Sequence, residues 1–289
     1  MRIRREAAPK LLMDDSVDYG FGVPRSQVSV VIPVYNSAGT LLRALDSVAR
    51  QSVLPCEVLL VDDCSTDGSI AVCEQAGDTF RELFPIRILH LEQNRGPSYA
   101  RNRGWDLAEG NYVAFLDADD SWHYEKIRVQ SDFMENSPEV SLSGHLCGID
   151  RAIMKTDSLV EATHLSRHKI LLSNPFSTPT VMVRNPTPYR FSEEMRFAED
   201  YRLWLSMALD GLVLARLECE MAVLHKQKYG DGGLSGNMWK MEKGELQMYC
   251  TLYRERRLPL LFLFVLVPFS LVKFARRMAL LLLKRHLSE

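Results

Sequence analysis

The 289-residue chain lacks the marks of several whole classes of protein. Its six cysteines (56, 64, 73, 147, 219 and 250) form no C-x-x-C pair and no His/Cys cluster at zinc spacing, so they read as reduced thiols rather than a disulfide or zinc framework. Neither sign of charge is in excess. With 35 Lys+Arg against 37 Asp+Glu the net charge is −2, whereas a general nucleic-acid binder needs a broad cationic surplus. There is no internal repeat and no low-complexity run. Long apolar runs are also missing: Leu258–Val272 carries no charge over 15 residues, about 22 Å as a helix, short of the roughly 30 Å hydrocarbon core. The basic N-terminus (Arg2, Arg4, Arg5, Lys10) runs into Asp14 and Asp15 rather than an apolar signal segment, so the bulk of the chain is expected in the cytoplasm. What is present, 46% hydrophobic and 25% charged residues, fits one large globular domain or two closely packed ones.

The pattern along residues 28–116 is regular. VSVVIPV (28–34) is apolar without alternation, as a parallel strand covered on both faces would be. A helix capped by Asn36 or Ser37 is expected next, with Leu41, Leu42, Leu45, Val48 and Ala49 on one face. EVLLVD (57–62) predicts a second buried strand, Ser69–Phe84 a helix, Ile86–Leu91 a third strand, Ser98–Glu109 a helix, and Tyr112–Leu116 a fourth strand. This β-α-β-α-β-α-β order predicts a mainly parallel, Rossmann-like α/β sheet whose ligands sit at the carboxyl ends of the strands. Three of those ends carry polar residues: Tyr35-Asn36, Asp62-Asp63 and Asp117-Ala118-Asp119-Asp120. Beyond Trp122 the pattern weakens to a helix near Tyr124–Asn136, a strand at Thr180–Arg184, a helix at Glu199–Leu209 and a glycine-rich loop, Gly230–Gly236.

Carboxylates crowded at one strand end repel unless a cation shares them, so Asp117 and Asp119 point to Mg2+ or Mn2+ held jointly with a substrate diphosphate; a solvated acidic turn is the plain alternative. Asp62 and Asp63 suit a base or ribose, or equally an Asx turn. Glu199 and Asp200 at a helix start also fit the helix dipole alone.

Taken together, VSVVIPVYN (28–36), EVLLVDDCSTDGS (57–69), NRGPSYARNRG (94–104), YVAFLDADD (112–120) and AEDYRLWL (198–205) resemble, in order and spacing, the glycosyltransferase family 2 pattern over roughly residues 28–205. The resemblance implies a GT-A fold and inverting transfer from a nucleotide diphosphate sugar, with uracil the usual base. It implies that Pro33, Tyr35, Asp62, Asp63 and Asp117 meet the nucleotide, and that Asp119, with Asp117, meets the metal. Asp200 would be the general base, taking a hydroxyl proton on one face of the sugar while the departing diphosphate is neutralised on the other. Glu199 would orient a sugar. Trp204 is either a sugar-stacking platform or a core tryptophan, and His225 either a third metal ligand or a packing residue. The Q-x-x-R-W signature of polymerising members is absent, so one sugar per encounter is expected. Lys226, Lys228 and the following glycines would form a lid.

The resulting division is an N-terminal extension (1–27), a nucleotide-sugar half (28–122), an acceptor and catalytic half (123–238) and a helical tail (239–289). Residues 240–289 carry +6, against −8 for the rest. Lys273, Arg276, Arg277 and Lys284 fall on one helical face, which predicts a basic interfacial helix on the cytoplasmic face of the membrane, suited to a lipid-linked or lipopolysaccharide-type acceptor. The tail's alternatives are packing on the body or a homo-oligomer interface. Competing functions are an inert membrane-attached nucleotide-sugar-binding protein and a haloacid-dehalogenase-type phosphatase. The latter needs its first Asp near the chain start, whereas Asp117 follows three strands. A dinucleotide oxidoreductase is set aside because G-x-G-x-x-G does not follow the first strand.

Overall fold

A computed structural model describes residues 22–148, 160–225 and 238–286. Strands β1 (Val28–Val34) and β2 (Glu57–Asp62) are apolar at successive positions, and both of their faces are covered. Val30, Ile32, Val58 and Leu60 enter a core shared with α1 (Leu41–Ala49) and α2 (Ser69–Phe80), while Val31 and Leu59 enter a second core on the opposite face. Each such side chain contributes about 1.5–3 kcal/mol by leaving water. With β3 (Ile86–His90) and β4 (Tyr112–Phe115) these strands form the expected parallel array in the order β3-β2-β1-β4. The order reverses between β1 and β4, which opens a crevice at their carboxyl ends. The cap of α1 differs from expectation: Thr40, not Asn36 or Ser37, precedes its first turn.

Helix α3 (Pro97–Leu107) lies directly on β1 and β2 because of Gly104, where a Cβ would sit only 2.5 Å from Val31 Cγ1. One turn earlier on α3, Arg101 is thereby brought beneath the strand ends.

The rest of the chain departs from the expected mainly parallel sheet. β5 (Ser121–Trp122), α4 (Lys126–Asn136), β6 (Val140–Gly148), β7 (Ala162–His164), α5 (Arg167–Leu172), β8 (Met182–Arg184), α6 (Glu199–Leu209) and β9 (Val213–Val223) follow in turn. They extend the sheet as β4-β8-β6-β9-β5, with β7 beside β9; β8 runs antiparallel to both neighbours, so the nine-stranded sheet is mixed. β6 and β9 carry Ser141, Ser143 and His145, and Arg216, Glu218 and Glu220, with register shifts between them, so neither presents the apolar run that marks β1 and β2.

The tail is two helices, α7 (Met238–Arg254) and α8 (Leu260–His286); Pro259 stands before α8 and Pro268 inside it. Met248, Tyr249, Leu252, Leu258 and Leu266 join the second core around Trp204. The orientation of α8 corrects the sequence reading. Two of its cations turn inward: Arg277 bonds to buried Glu242 (2.9 Å) and Lys273 to Glu245 (2.7 Å), with Ser270 also on Glu242 (2.7 Å). A carboxylate as buried as Glu242 needs such partners, and that demand outweighs solvation of the basic face. Leu261, Phe264, Val265 and Val272 face outward, Leu261 being 72% exposed. No helix among the described residues is long and apolar enough to cross a membrane.

Candidate active site

The crevice widens into a cleft of about 1280 Å³ that runs from the ends of β1 and β4 past the start of α6 to α8. Its floor is locked by the loops themselves. Asn36, held at φ 48°, accepts the Thr66 N–H on its Oδ1 (2.8 Å), and Asp67 accepts from Ala38 N–H (3.2 Å) and Ser69 N–H (2.9 Å). Asp63 accepts from the N–H groups of Arg95 (2.8 Å) and Gly96 (2.7 Å), fixing the loop that leads into α3. Pro33, Tyr35 and Asp63 line the cleft, with Tyr35 half-exposed. Asp62 is not brought into that lining. It is buried, accepts a long bond from Ser65 N–H (3.3 Å) and lies beside His90, so it shapes its own turn, as the Asx-turn reading has it.

The end of β4 delivers Asp117, Asp119 and Asp120. Burial, with Asp117 and Asp119 alongside, pushes the Asp120 carboxyl up to about 8. Opposite stands α6, whose preceding residue Ala198 is in the left-handed region (φ 59°) and turns Glu199 and Asp200 into the first helical turn. Both line the same cleft as Asp119. Asp200 accepts from Asn174 Nδ2 (3.2 Å) and from Tyr201 N–H (2.6 Å). Burial, then the neighbouring Asp200, raises Glu199 to about 7, and burial likewise raises Asp200.

Arg101 joins the two groups. Its guanidinium, almost wholly buried, donates to Asp117 Oδ1 (2.6 Å) and Glu199 Oε1 (3.4 Å) and lies over the Phe191 ring at 5.4 Å. Sequence reasoning assigned Arg101 no role. The available signal was its place in NRGPSYARNRG, four residues before buried Trp105 and thus on the inner face of α3.

Two other assignments change or sharpen. Trp204 is fully buried, with its ring 5.7 Å from Phe191 in an edge contact, so it is a core tryptophan and presents no face to a sugar. His225 stands at the acidic strand end: its Nε2 is 2.8 Å from Ser121 Oγ and its N–H bonds to Asp120 (3.4 Å). Burial and the nearby Arg43 lower its pKa, leaving a neutral imidazole suited to ligation. Lys226, Lys228 and Gly230–Gly236 lie outside the described residues.

Among the described residues no group of three or more His, Cys, Asp or Glu side chains could hold a metal ion by itself. Asp117 and Asp119 nonetheless fit a divalent cation shared with a diphosphate, because they are hard oxygen donors crowded enough that their field helps protonate Asp120.

Comparison with known proteins decides the family. The model for Glycosyl transferase family 2 matches residues 29–191, more than half the chain. The chain belongs to glycosyltransferase family 2. The family 2 chain is 33% identical over 221 residues to a Bacillus subtilis glycosyltransferase named for teichuronic acid biosynthesis, TuaG, covering 75% of this chain and 84% of the relative. It is 27% identical over 213 residues to the Escherichia coli UDP-Glc:alpha-D-GlcNAc-diphosphoundecaprenol beta-1,3-glucosyltransferase WfgD, covering 74% and 81%. Among solved structures, S. aureus TarS 1-349 in complex with UDP superposes with a TM-score of 0.56 at 25% identity, over 68% of this chain and 59% of that one. The family accounts for the Rossmann-like GT-A fold.

Replacing Arg101 with Gln leaves carboxylates on two elements facing each other without their shared cation. Stability to urea is expected to fall by about 2–3 kcal/mol, less than a fully buried pair loses because Asp117 is partly exposed. The surface pair Arg95–Glu193, broken by Arg95→Gln, is expected to cost under about 1 kcal/mol. Equal losses for the two variants would contradict the bridging role.

Proposed function

We infer that this family 2 chain is an inverting, non-processive glycosyltransferase. It moves a sugar from a UDP-sugar to a hydroxyl of a lipid-linked or cell-surface glycan acceptor, in polysaccharide biosynthesis. The observation that carries this reading is the convergence of Asp119 and Asp200 on one cleft from separate elements. The UDP complex of TarS and the names of TuaG and WfgD support the donor and acceptor classes.

In this reading Pro33, Tyr35 and Asp63 hold the nucleoside, and Asp117 and Asp119 hold Mn2+ or Mg2+. Bound there, the cation neutralises charge on the diphosphate leaving group. Arg101 keeps Asp117 aimed at the donor and, with the same guanidinium, steadies Glu199 at the sugar. Asn174 and the Tyr201 N–H each hold one oxygen of Asp200 and fix the carboxylate in the cleft, where a remaining lone pair takes the hydroxyl proton as the acceptor oxygen attacks the anomeric carbon. One displacement inverts that carbon. The absence of Q-x-x-R-W supports single additions.

The outward face of α8 supports attachment to the cytoplasmic surface of a membrane. Leu261, Phe264, Val265 and Val272 form a continuous apolar stripe along a helix, and the exposed indole of Trp239 packs on Phe274 of the same helix at 5.4 Å. A stripe of this kind left in water invites association, and it lies on the same helix that lines the cleft with Lys273, Arg276, Arg277 and Leu280, which suits a substrate that is itself in lipid.

Two experiments test the reading. Hydrolysis of a UDP-sugar with manganese should be lost in Asp119→Ala, while Asp200→Asn should retain donor binding and lose at least about a hundredfold in rate. Because burial raises Asp200 as well as Glu199, and the base acts only when ionised, kcat/KM should fall with decreasing pH along an acid limb that lies above the usual carboxylate range. An acid limb near pH 4 would contradict the assignment; absent hydrolysis would favour an inert binding protein, and manganese-independent hydrolysis would contradict the metal's role. For the tail, Leu261→Glu with Phe264→Glu should abolish binding to phosphatidylglycerol/phosphatidylethanolamine vesicles without loss of helix content. A wild-type chain that ignores vesicles but runs as a dimer would instead make the stripe an oligomer interface.

A further inference from the structure

The two ends of the cleft differ in charge. Beneath the sheet it is lined by Asp63, Asp117 and Asp119, whereas its far wall, from α8, presents Lys273, Arg276 and Arg277. That wall is tied to the base. Lys273 Nζ donates to the Leu172 carbonyl (2.8 Å), and two residues further on Asn174 donates to Asp200. The cations therefore stand one short loop away from the group that would deprotonate the acceptor.

Their hydrogen-bonding capacity is only partly used. An ammonium offers three N–H donors, and those shown for Lys273 go to Leu172 and Glu245. Arg277 engages Glu242 through one terminal nitrogen, while its Nε is buried with no partner among the described residues. Arg276 is exposed on the cleft wall and has neither an ion pair nor a hydrogen bond among the described residues. Glu242 and Glu245 thus hold two cations in place, and Arg276 is the charge left over. Its position along α8 adds a second constraint. Arg276 comes one turn after outward Val272 and one turn before Leu280, which also lines the cleft and is 55% exposed. It marks the seam between a polar cleft and an apolar surface. A ligand that fits this seam has an anionic group joined directly to a hydrocarbon.

We propose that Lys273, Arg276 and Arg277 form a binding site for the diphosphate of a lipid-diphosphate-sugar acceptor, with its sugar directed toward Asp200 and its hydrocarbon along the outward stripe of α8. The direction of the sugar rests on the functional reading above; the anion site itself rests on the cations and the seam. Arg276 is the decisive residue, because replacing Arg277 would strand buried Glu242, whereas exposed Arg276 makes no hydrogen bond or ion pair among the described residues.

The probe is farnesyl diphosphate, with its binding measured by calorimetry in EDTA so that the acidic end of the cleft has no cation with which to hold a diphosphate. Wild-type protein should bind it at least tenfold more tightly than farnesol or inorganic pyrophosphate. Arg276→Gln should weaken that binding at least fivefold, and Asp119→Ala should leave it unchanged. Unchanged binding in Arg276→Gln, or loss in Asp119→Ala, overturns the site. An equal loss of affinity for phosphatidylglycerol vesicles in Arg276→Gln also overturns it, in favour of a general headgroup contact. Manganese-dependent hydrolysis of a UDP-sugar, measured in parallel, should proceed at the same rate in wild type and Arg276→Gln. Absence of hydrolysis in both would sink the catalytic reading while leaving the diphosphate result to stand or fall by itself.

Discussion

A single buried guanidinium, Arg101, carries the constraint on which the site depends. Asp117 at the end of β4 and Glu199 at the start of α6 belong to different parts of the chain, and each is followed by further carboxylates, Asp119 and Asp120 on one side and Asp200 on the other. Brought into one cleft without a shared cation, these groups would repel and take up protons. Arg101 makes their approach tolerable. Such an arrangement is asymmetric in energy: the assembled cluster contributes little net stability, but removing its centre leaves uncompensated charge.

The fold supplies Arg101 by close packing rather than by a loop. Gly104 lets α3 lie against Val31 and Val61, and Trp105 anchors the same helix through edge contacts with Phe115 and Phe191, the latter reaching on to Trp204. This aromatic chain runs from α3 through β4 to α6, the elements that present Arg101, Asp117 and Asp200. Trp204 therefore serves the site by packing, holding α6 at a fixed distance from β4.

The parallel half of the sheet was legible because a strand buried on both faces is written as an unbroken apolar run, and β1 and β2 occupy the predicted residues. The ordered blocks also placed Asp63, Asp117, Asp119, Glu199 and Asp200 in one cleft. β6 and β9 were missed because partly polar strands with register shifts leave no clean period. Asp62 and Trp204, each read from the sequence as either a ligand contact or a structural residue, prove structural for a common reason: adjacent residues on a strand face opposite ways, and a helix hides most of its circumference, so membership of a motif does not fix direction. For the tail, the sequence left membrane attachment and packing on the body both open, and the structure shows part of the basic face packed on α7. Periodicity finds the two faces of α8, but only buried Glu242 and partly buried Glu245 on α7 determine that Lys273 and Arg277 turn inward.

The claim that a cation site and a base share one cleft is tested most directly by paramagnetic broadening. With 15N-asparagine labelling, adding Mn2+ and UDP should broaden the side-chain amide of Asn174, which bonds Asp200, while that of Asn136 on the far end of α4 stays sharp. An Asn174 resonance that remains as sharp as that of Asn136, with Mn2+ shown to be bound, would contradict the account.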